Sequence, residues 1–222
     1  MVSWKRIGIV LAAVLASLAL TGAGQVSPVT SGPENQAAAH AVAVATGRAD
    51  GTGADLVPPD FAEVMGYTPE LVLDGVGVRV IDPAGNCSSP AGSAGYDFDR
   101  ACRFHDYGYD LLRYAADRGG ELGPWARMAI DDQFGVDLRA HCADPGGSPG
   151  CRAAAWAGEH AVRINSWRQG YGVPGVENPL PYVAAGVLLL TVCVGPRLAG
   201  RLHRACVTVA TRSGCRAAGT AK

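Results

Sequence analysis

The stretch Cys102-Arg-Phe-His-Asp-Tyr-Gly-Tyr109 lies in a proline-free segment, which predicts a helix from Asp97 to Ala116. Asp97 or Asp99 can cap its start, and Gly119-Gly120 follows its end as C-cap glycines do. At 3.6 residues per turn, one face carries five side chains: Cys102, His105, Tyr109, Leu112 and Ala116. The segment therefore predicts a helix that presents a histidine beside a cysteine and a tyrosine.

A second helix is predicted from Pro124, a residue type favoured at the first helical position, to about Cys142. Asp131 falls in the middle of its apolar stripe, where an ionised carboxylate without a partner is costly to bury. Because a short glycine-rich turn joins the two helices, we expect them to be antiparallel neighbours. Asp131 then accepts a hydrogen bond from one nitrogen of His105, and the other nitrogen is free to act as a general base.

The histidines and Tyr109 each have a purely structural interpretation as well. A single histidine on a helix is more often a packing or surface residue, which is our interpretation of His40, His141, His160 and His203. The coincidence of helix, cysteine, adjacent Asp106 and facing acid sets His105 apart from them. For Tyr109, a hydrogen bond to Asp131 and simple packing in the core are equally open.

The seven cysteines suggest disulfide bonds in an exported protein. Cys87 and Cys102 bracket a glycine-rich loop, and Cys142 and Cys151 bracket a second loop, so both spacings suit local bridges. Three cysteines are left over, and the odd count leaves at least one unpaired or intermolecular; they are Cys193, Cys206 and Cys215. No C-x-x-C pair is present, which argues against a thiolate zinc site.

Both ends of the chain carry apolar segments. Lys5 and Arg6 precede an uncharged run that ends in small residues, the pattern of an export signal over residues 1–23, with an uncleaved anchor as the alternative. Near the C-terminus, segment 182–194 is almost entirely apolar and arginines follow it. It is either a membrane anchor or a buried helix, and residues 173–222 form a tail. The protein is therefore expected to be secreted, or exported and anchored.

Between these ends we expect a flexible linker over residues 24–57 and one domain over residues 58–172. The domain is predicted to be all-α, a small disulfide-stapled helical fold built on an antiparallel helix pair. One short strand is expected within Leu71–Ile81 and a third helix at about Cys151–Trp167. Two tryptophans of that helix, Trp156 and Trp167, are expected in the core, with a lipid-facing role as the alternative.

Composition excludes one class of partner. The net formal charge is −1, and no basic excess indicates nucleic-acid binding. A metal-dependent hydrolase of cell-wall material finds little support, because no His/Asp cluster has the spacing of a zinc site.

The pattern Cys102-x-x-His105-Asp106-x-x-x-Asp110 resembles the active-site helix of secreted phospholipases A2. It is similar in particular to the prokaryotic (streptomycete-type) branch, in which a run Ala-Cys-x-x-His-Asp-x-Gly-Tyr occurs. The likeness continues through Ile130-Asp131 to Cys142 and covers roughly residues 82–168.

This resemblance implies calcium-dependent hydrolysis of the sn-2 ester of glycerophospholipids at a membrane surface, releasing a fatty acid and a lysophospholipid. It implies His105 as the base and Asp131 as its orienting partner. It also implies a calcium loop before the first active-site helix, with Ca²⁺ held by Asp106 and by Gly85 and Asn86 of the loop.

The sequence departs from the family pattern at that loop. The streptomycete-type branch has an acidic side chain two residues before the loop cysteine, and this chain has Gly85 there. Asn86 or Asp82 would have to compensate for the lost charge. The departure keeps a second hypothesis open, a catalytically weak membrane-binding or toxin-like module on the same scaffold.

Overall fold

The computed structural model describes residues 32–74, 77–87, 95–143 and 147–175. The predicted export signal, the apolar segment 182–194 and the three C-terminal cysteines lie outside these ranges. Within the described ranges, no helix is long and apolar enough to cross a membrane. The helices are α1 (Gln36–Ala45), a 3₁₀ turn (Gly53–Leu56), α2 (Phe61–Met65), α3 (Asp99–Asp117), α4 (Pro124–His141) and α5 (Pro149–Arg168), and the strands are β1 (Glu70–Asp74) and β2 (Gly77–Ile81).

The described part is a small, mainly helical domain held by two disulfide bonds. These join Cys87 to Cys102 and Cys142 to Cys151, as the cysteine spacing predicts. The first bond fastens the start of α3 to the loop before it, and the second fastens the end of α4 to the start of α5.

The expected single strand is in fact a hairpin. β1 and β2 pair antiparallel, with Leu71 opposite Val80 and Leu73 opposite Val78. Val80 and Ile81 are buried, whereas Leu71, Leu73 and Val78 are exposed. Because β1 shows no apolar–polar alternation, the sequence pattern did not reveal it. Bidentate bonds from Arg79 to Asp137 tie the hairpin to α4.

A flexible linker was predicted over residues 24–57, but the structure has the helix α1 within this segment. This helix is capped by Asn35, whose side chain accepts a hydrogen bond from Ala38 N. Ala38, Ala41 and Val42 are fully buried in the same core cluster as Leu111. Their small side chains lie at helical spacing, so α1 can approach α3 closely. A composition rich in small residues, typical of a linker, here serves tight packing.

The two long helices, α3 and α4, pack against each other. Phe98 contacts His141 with ring centroids 5.4 Å apart, and further along α3 the ring of His105 lies 4.7 Å from that of Phe134. A Cβ at Gly108 would lie 2.6 Å from a methyl group of Ile130, so a glycine is needed there. As the residue number of the contact rises from 98 to 108 on the α3 side, that of its partner on the α4 side falls from 141 to 130.

The ends of α3 differ in one respect from expectation. Gly119 follows the last turn with a φ of 72°, in the left-handed region, as a C-cap glycine does. At the start, the N-cap residue is Phe98 and no side chain caps the helix. Asp99 is instead the first helical residue, where its negative charge favours the positive end of the helix dipole.

The third long helix, α5, packs on α4 through one narrow face. Ala155, Glu159 and Ser166 are buried there. Trp156 and Trp167 are 62% and 68% exposed, so the expectation that they lie in the core is wrong. They occupy a lateral face of α5 that no described element covers.

Candidate active site

His105 and Asp131 are brought together across the α3–α4 contact. His105 Nε2 lies 2.9 Å from Asp131 Oδ1, and both side chains are buried. An ionised carboxylate can only accept hydrogen bonds, so Nε2 carries the proton and donates it. The ring packs between Tyr109 and Phe134, with centroid distances of 4.1 and 4.7 Å. No described protein group bonds to Nδ1, so this nitrogen has a lone pair available for a proton.

The Asp131 carboxylate is only 1% exposed and is satisfied by further donors. Tyr109 donates its hydroxyl hydrogen to Oδ1 at 2.9 Å, and Ser166 of α5 donates to Oδ2 at 2.5 Å. Burial and the charge of Asp131 raise the pKa of Tyr109 to about 12, so the phenol keeps its proton at neutral pH. With His105, the carboxylate thus accepts three hydrogen bonds, and its negative charge is compatible with burial.

Arg127 is a member of this cluster that the sequence reasoning missed, as is Ser166. Arg127 lies one turn before Asp131 on α4 and is only 1% exposed. Its Nε donates to Ser166 Oγ at 2.9 Å, and its guanidinium lies 4.8 Å from the Tyr109 ring centre. The available signal was an arginine four residues before Asp131, on the same helical face.

The loop between β2 and Cys87 lies against the start of α3. Asn86 N donates to Asp106 Oδ2 at 2.9 Å. A Cβ at Gly85 would lie 2.9 Å from the same oxygen and 3.2 Å from Arg103 Cα, so the backbone of Gly85 is adjacent to Asp106. Arg103 donates to the carbonyl oxygens of Asp82 and Pro83 at 2.9 and 2.8 Å. The three residues expected at a metal site, Gly85, Asn86 and Asp106, are therefore neighbours.

Asp106 is partly buried and has other ionisable groups near it. Burial raises its pKa, the Asn86 N–H and His105 oppose this, and Asp82 and Asp110 raise it further. No described protein donor bonds to its Oδ1. Among the described residues no three His, Cys, Asp or Glu side chains form a metal cluster. A cation here would need backbone carbonyl oxygens from the loop, which is a mode of coordination that calcium accepts.

A surface cleft of about 910 Å³ lies elsewhere in the domain, where the end of α1 and β2 face α3 and α4. It is lined by residues such as Phe98, Phe104 and Asp137, and it does not include His105, Asp106 or Asp131. The chemistry of the bonded groups, rather than the size of a cavity, therefore identifies the candidate site.

The fold and the site together define a small disulfide-stapled helical domain that holds a buried histidine–carboxylate pair beside a glycine-containing loop. Residues 82–166 match the family model of prokaryotic phospholipase A2, which confirms the resemblance seen in the sequence. The matched segment is less than half of the chain and contains the loop, both site helices and Ser166. Comparison with curated proteins gives no match, and comparison with solved structures gives none. The family hydrolyses phospholipid esters.

Proposed function

We propose that this domain hydrolyses the sn-2 ester of glycerophospholipids and releases a fatty acid and a lysophospholipid. The observation that carries the proposal is the bonded His105–Asp131 pair inside the matched segment, in which no described protein group bonds to Nδ1. The reversed order of contacts between α3 and α4 supports an antiparallel pair as the scaffold of the site.

The proposed chemistry is general base catalysis by His105. Nδ1 takes a proton from a water molecule while the water oxygen attacks the ester carbonyl. The tetrahedral intermediate then collapses, and the departing alkoxide of the lysophospholipid takes the proton from Nδ1. Asp131 holds Nε2–H throughout and stabilises the imidazolium that forms between the two steps. No acyl-enzyme is required.

The loop is proposed as a calcium loop, with Asp106 as the charged ligand and the carbonyl oxygens of Gly85 and Asn86 beside it. When bound, Ca²⁺ supplies positive charge for the substrate phosphate and for the oxyanion that develops on the ester. Arg103 bonds the carbonyl oxygens of Asp82 and Pro83, and the Cys87–Cys102 bond joins the end of the loop to α3. Together they hold the loop against α3. A side chain at position 85 would place its Cβ 2.9 Å from Asp106 Oδ2 and 3.2 Å from Arg103 Cα, so Asp106 would have to shift to admit it.

The substrate is presented by a membrane, and the protein is proposed to act outside the cell. Segment 182–194 is proposed as a membrane anchor, and carbonate washing of membranes tests it, because a spanning segment stays with the lipid. The exposed tryptophans of α5 support contact with a lipid surface. The net formal charge of −1 gives no basic excess that would support a nucleic-acid partner.

The test is release of fatty acid from mixed phospholipid vesicles, with Ca²⁺ and with a chelator. We expect release that the chelator abolishes, and a fall of at least about a hundredfold in His105→Ala. His40→Ala is the matched control, because that histidine lies half exposed on α1 and pairs with Asp55, away from the dyad.

The second candidate is a catalytically weak membrane-binding or toxin-like module, which the absence of an acidic residue at position 85 favours. Vesicle binding without fatty acid release, at any Ca²⁺ concentration, would establish that alternative and exclude the enzyme. Full turnover by a folded His105→Ala variant would remove His105 as the base.

A further inference from the structure

A serine and a buried arginine lie directly behind the dyad carboxylate. Ser166 projects from α5 and bonds Asp131 Oδ2, while Arg127 of α4 bonds Ser166 but not Asp131. We propose that Ser166 and Arg127 are positioning residues, which hold the Asp131 carboxylate in the orientation that His105 needs. This inference rests on the proposed function for its catalytic consequence.

The donor and acceptor roles in these hydrogen bonds support this positioning role. A serine hydroxyl has one hydrogen and can rotate, so it could donate either to Asp131 or to Tyr109, whose hydroxyl oxygen lies 3.1 Å away. Arg127 Nε–H can only donate, and it occupies the acceptor side of Ser166 Oγ at 2.9 Å. The same Nε–H approaches Tyr109 Oη at 3.4 Å. The single hydrogen of Ser166 is donated to its nearer acceptor, Asp131 Oδ2, at 2.5 Å. The carboxylate cannot turn about its own axis without losing this bond.

Arg127 is itself held rigidly. Its Nη1 donates to the Gly172 carbonyl oxygen at 2.7 Å and its Nη2 to Gln169 Oε1 at 2.7 Å, both just after α5. The guanidinium therefore fastens the end of α5 to α4 at the level of the dyad. As a buried cation near a buried anion, it also offsets part of the cost of enclosing Asp131.

Ser166→Ala is the decisive variant, because it removes only a buried hydroxyl group. We expect kcat on vesicles to fall about tenfold with KM within about twofold, as loss of a hydrogen bond to a charged group would give. The low-field proton NMR signal of His105 Nε2–H should shift and exchange faster with water. Ser148→Ala is the matched control: it removes a serine hydrogen bond that caps the same helix, to Cys151 N, and leaves the dyad untouched.

A double-mutant cycle tests whether Arg127 acts through Ser166. Arg127→Met should lower kcat at least as far as Ser166→Ala, and the double variant should be no worse than Arg127→Met alone. Additive effects would overturn the coupling between the two residues. Should Arg127→Met fail to fold, Ser166→Ala alone decides the proposal.

A folded Ser166→Ala variant with unchanged kcat and an unmoved imidazole signal would overturn the inference. Failure of the proposed function is a different result, since the wild-type chain would then release no fatty acid. The imidazole signal needs no turnover, so the positioning role is decided in either case.

Discussion

Asp131 is the residue around which the site is organised. A carboxylate that is 1% exposed needs compensation, and it receives it from three donors on two helices: His105, Tyr109 and Ser166. Such a group has little freedom to rotate. The orientation of the imidazole is therefore set by the carboxylate, and that of the carboxylate by the groups behind it.

Asp131→Asn should lower kcat by roughly a thousandfold while the fold persists. The amide that replaces the carboxylate can offer its NH₂ group to Nε2, which favours the tautomer with the proton on Nδ1, where the lone pair is needed. Vesicle hydrolysis measures the effect, and thermal unfolding checks the fold. Asp132→Asn is the matched control, because this neighbour is exposed and pairs with Arg163 on the surface. Equal activity in both variants would remove Asp131 from the mechanism.

At the residue scale, the sequence predicted the His105–Asp131 pair but not Arg127 and Ser166 behind it. A carboxylate in an apolar stripe indicates a buried partner, and the sequence predicted His105 as the partner of Asp131. Arg127 gave a weaker signal, because an arginine on a helix is usually exposed and its alkyl chain tolerates an apolar stripe. Ser166 gave no signal, because nothing in the sequence around a serine of the third helix indicates which residue it bonds.

Among the elements, α5 departs most from expectation. Trp156, Ile164 and Trp167 lie at helical spacing, and all three are more than half exposed. The only buried charged residue of the helix, Glu159, faces α4. An exposed stripe with a tryptophan near each end is typical of a helix face that meets the headgroup region of a membrane.

Trp156→Ala combined with Trp167→Ala should weaken binding to phospholipid vesicles roughly tenfold or more, since each indole leaves water on binding. Hydrolysis of a short-chain, monomeric phospholipid should be unchanged, because neither residue contacts the dyad. Sedimentation with vesicles measures the binding. Leu73→Ala removes an apolar side chain that is 79% exposed on the hairpin, and it is the matched control. Equal loss in both variants would argue against a specific role for α5.

The long helices were predictable from the sequence, whereas α1 and the first strand of the hairpin were not, for a physical reason. α3 and α4 each carry several turns of regular spacing with clear start or stop residues, so local pattern suffices to find them. The hairpin and α1 are defined by what they pack against. Val80 is buried because α3 lies over it, and Ala38 because its lack of bulk permits close approach to the core.

For the molecule as a whole, the matched family segment and the folded unit are not the same length. The match begins at residue 82, whereas the described core extends back to α1. Tyr107 of α3 donates its hydroxyl hydrogen to the Leu56 carbonyl oxygen, and Asn35 N donates to the Gly120 carbonyl oxygen. Residues 32–74 and 77–81 therefore complete the side of α3 that faces away from the dyad.

Removal of residues 25–57 separates the two interpretations of this region, a linker or a structural part. A linker can be lost at little cost. If α1 is structural, its removal takes the buried Val42 out of the core and exposes Leu111, and the free energy of unfolding should fall by at least about 3 kcal/mol. Urea unfolding followed by tryptophan fluorescence measures the loss, and removal of residues 25–31 alone is the control. Because α3 carries His105, loosening its far side should also lower vesicle hydrolysis. An unchanged unfolding midpoint would restore the linker and make residues 58–172 a sufficient domain.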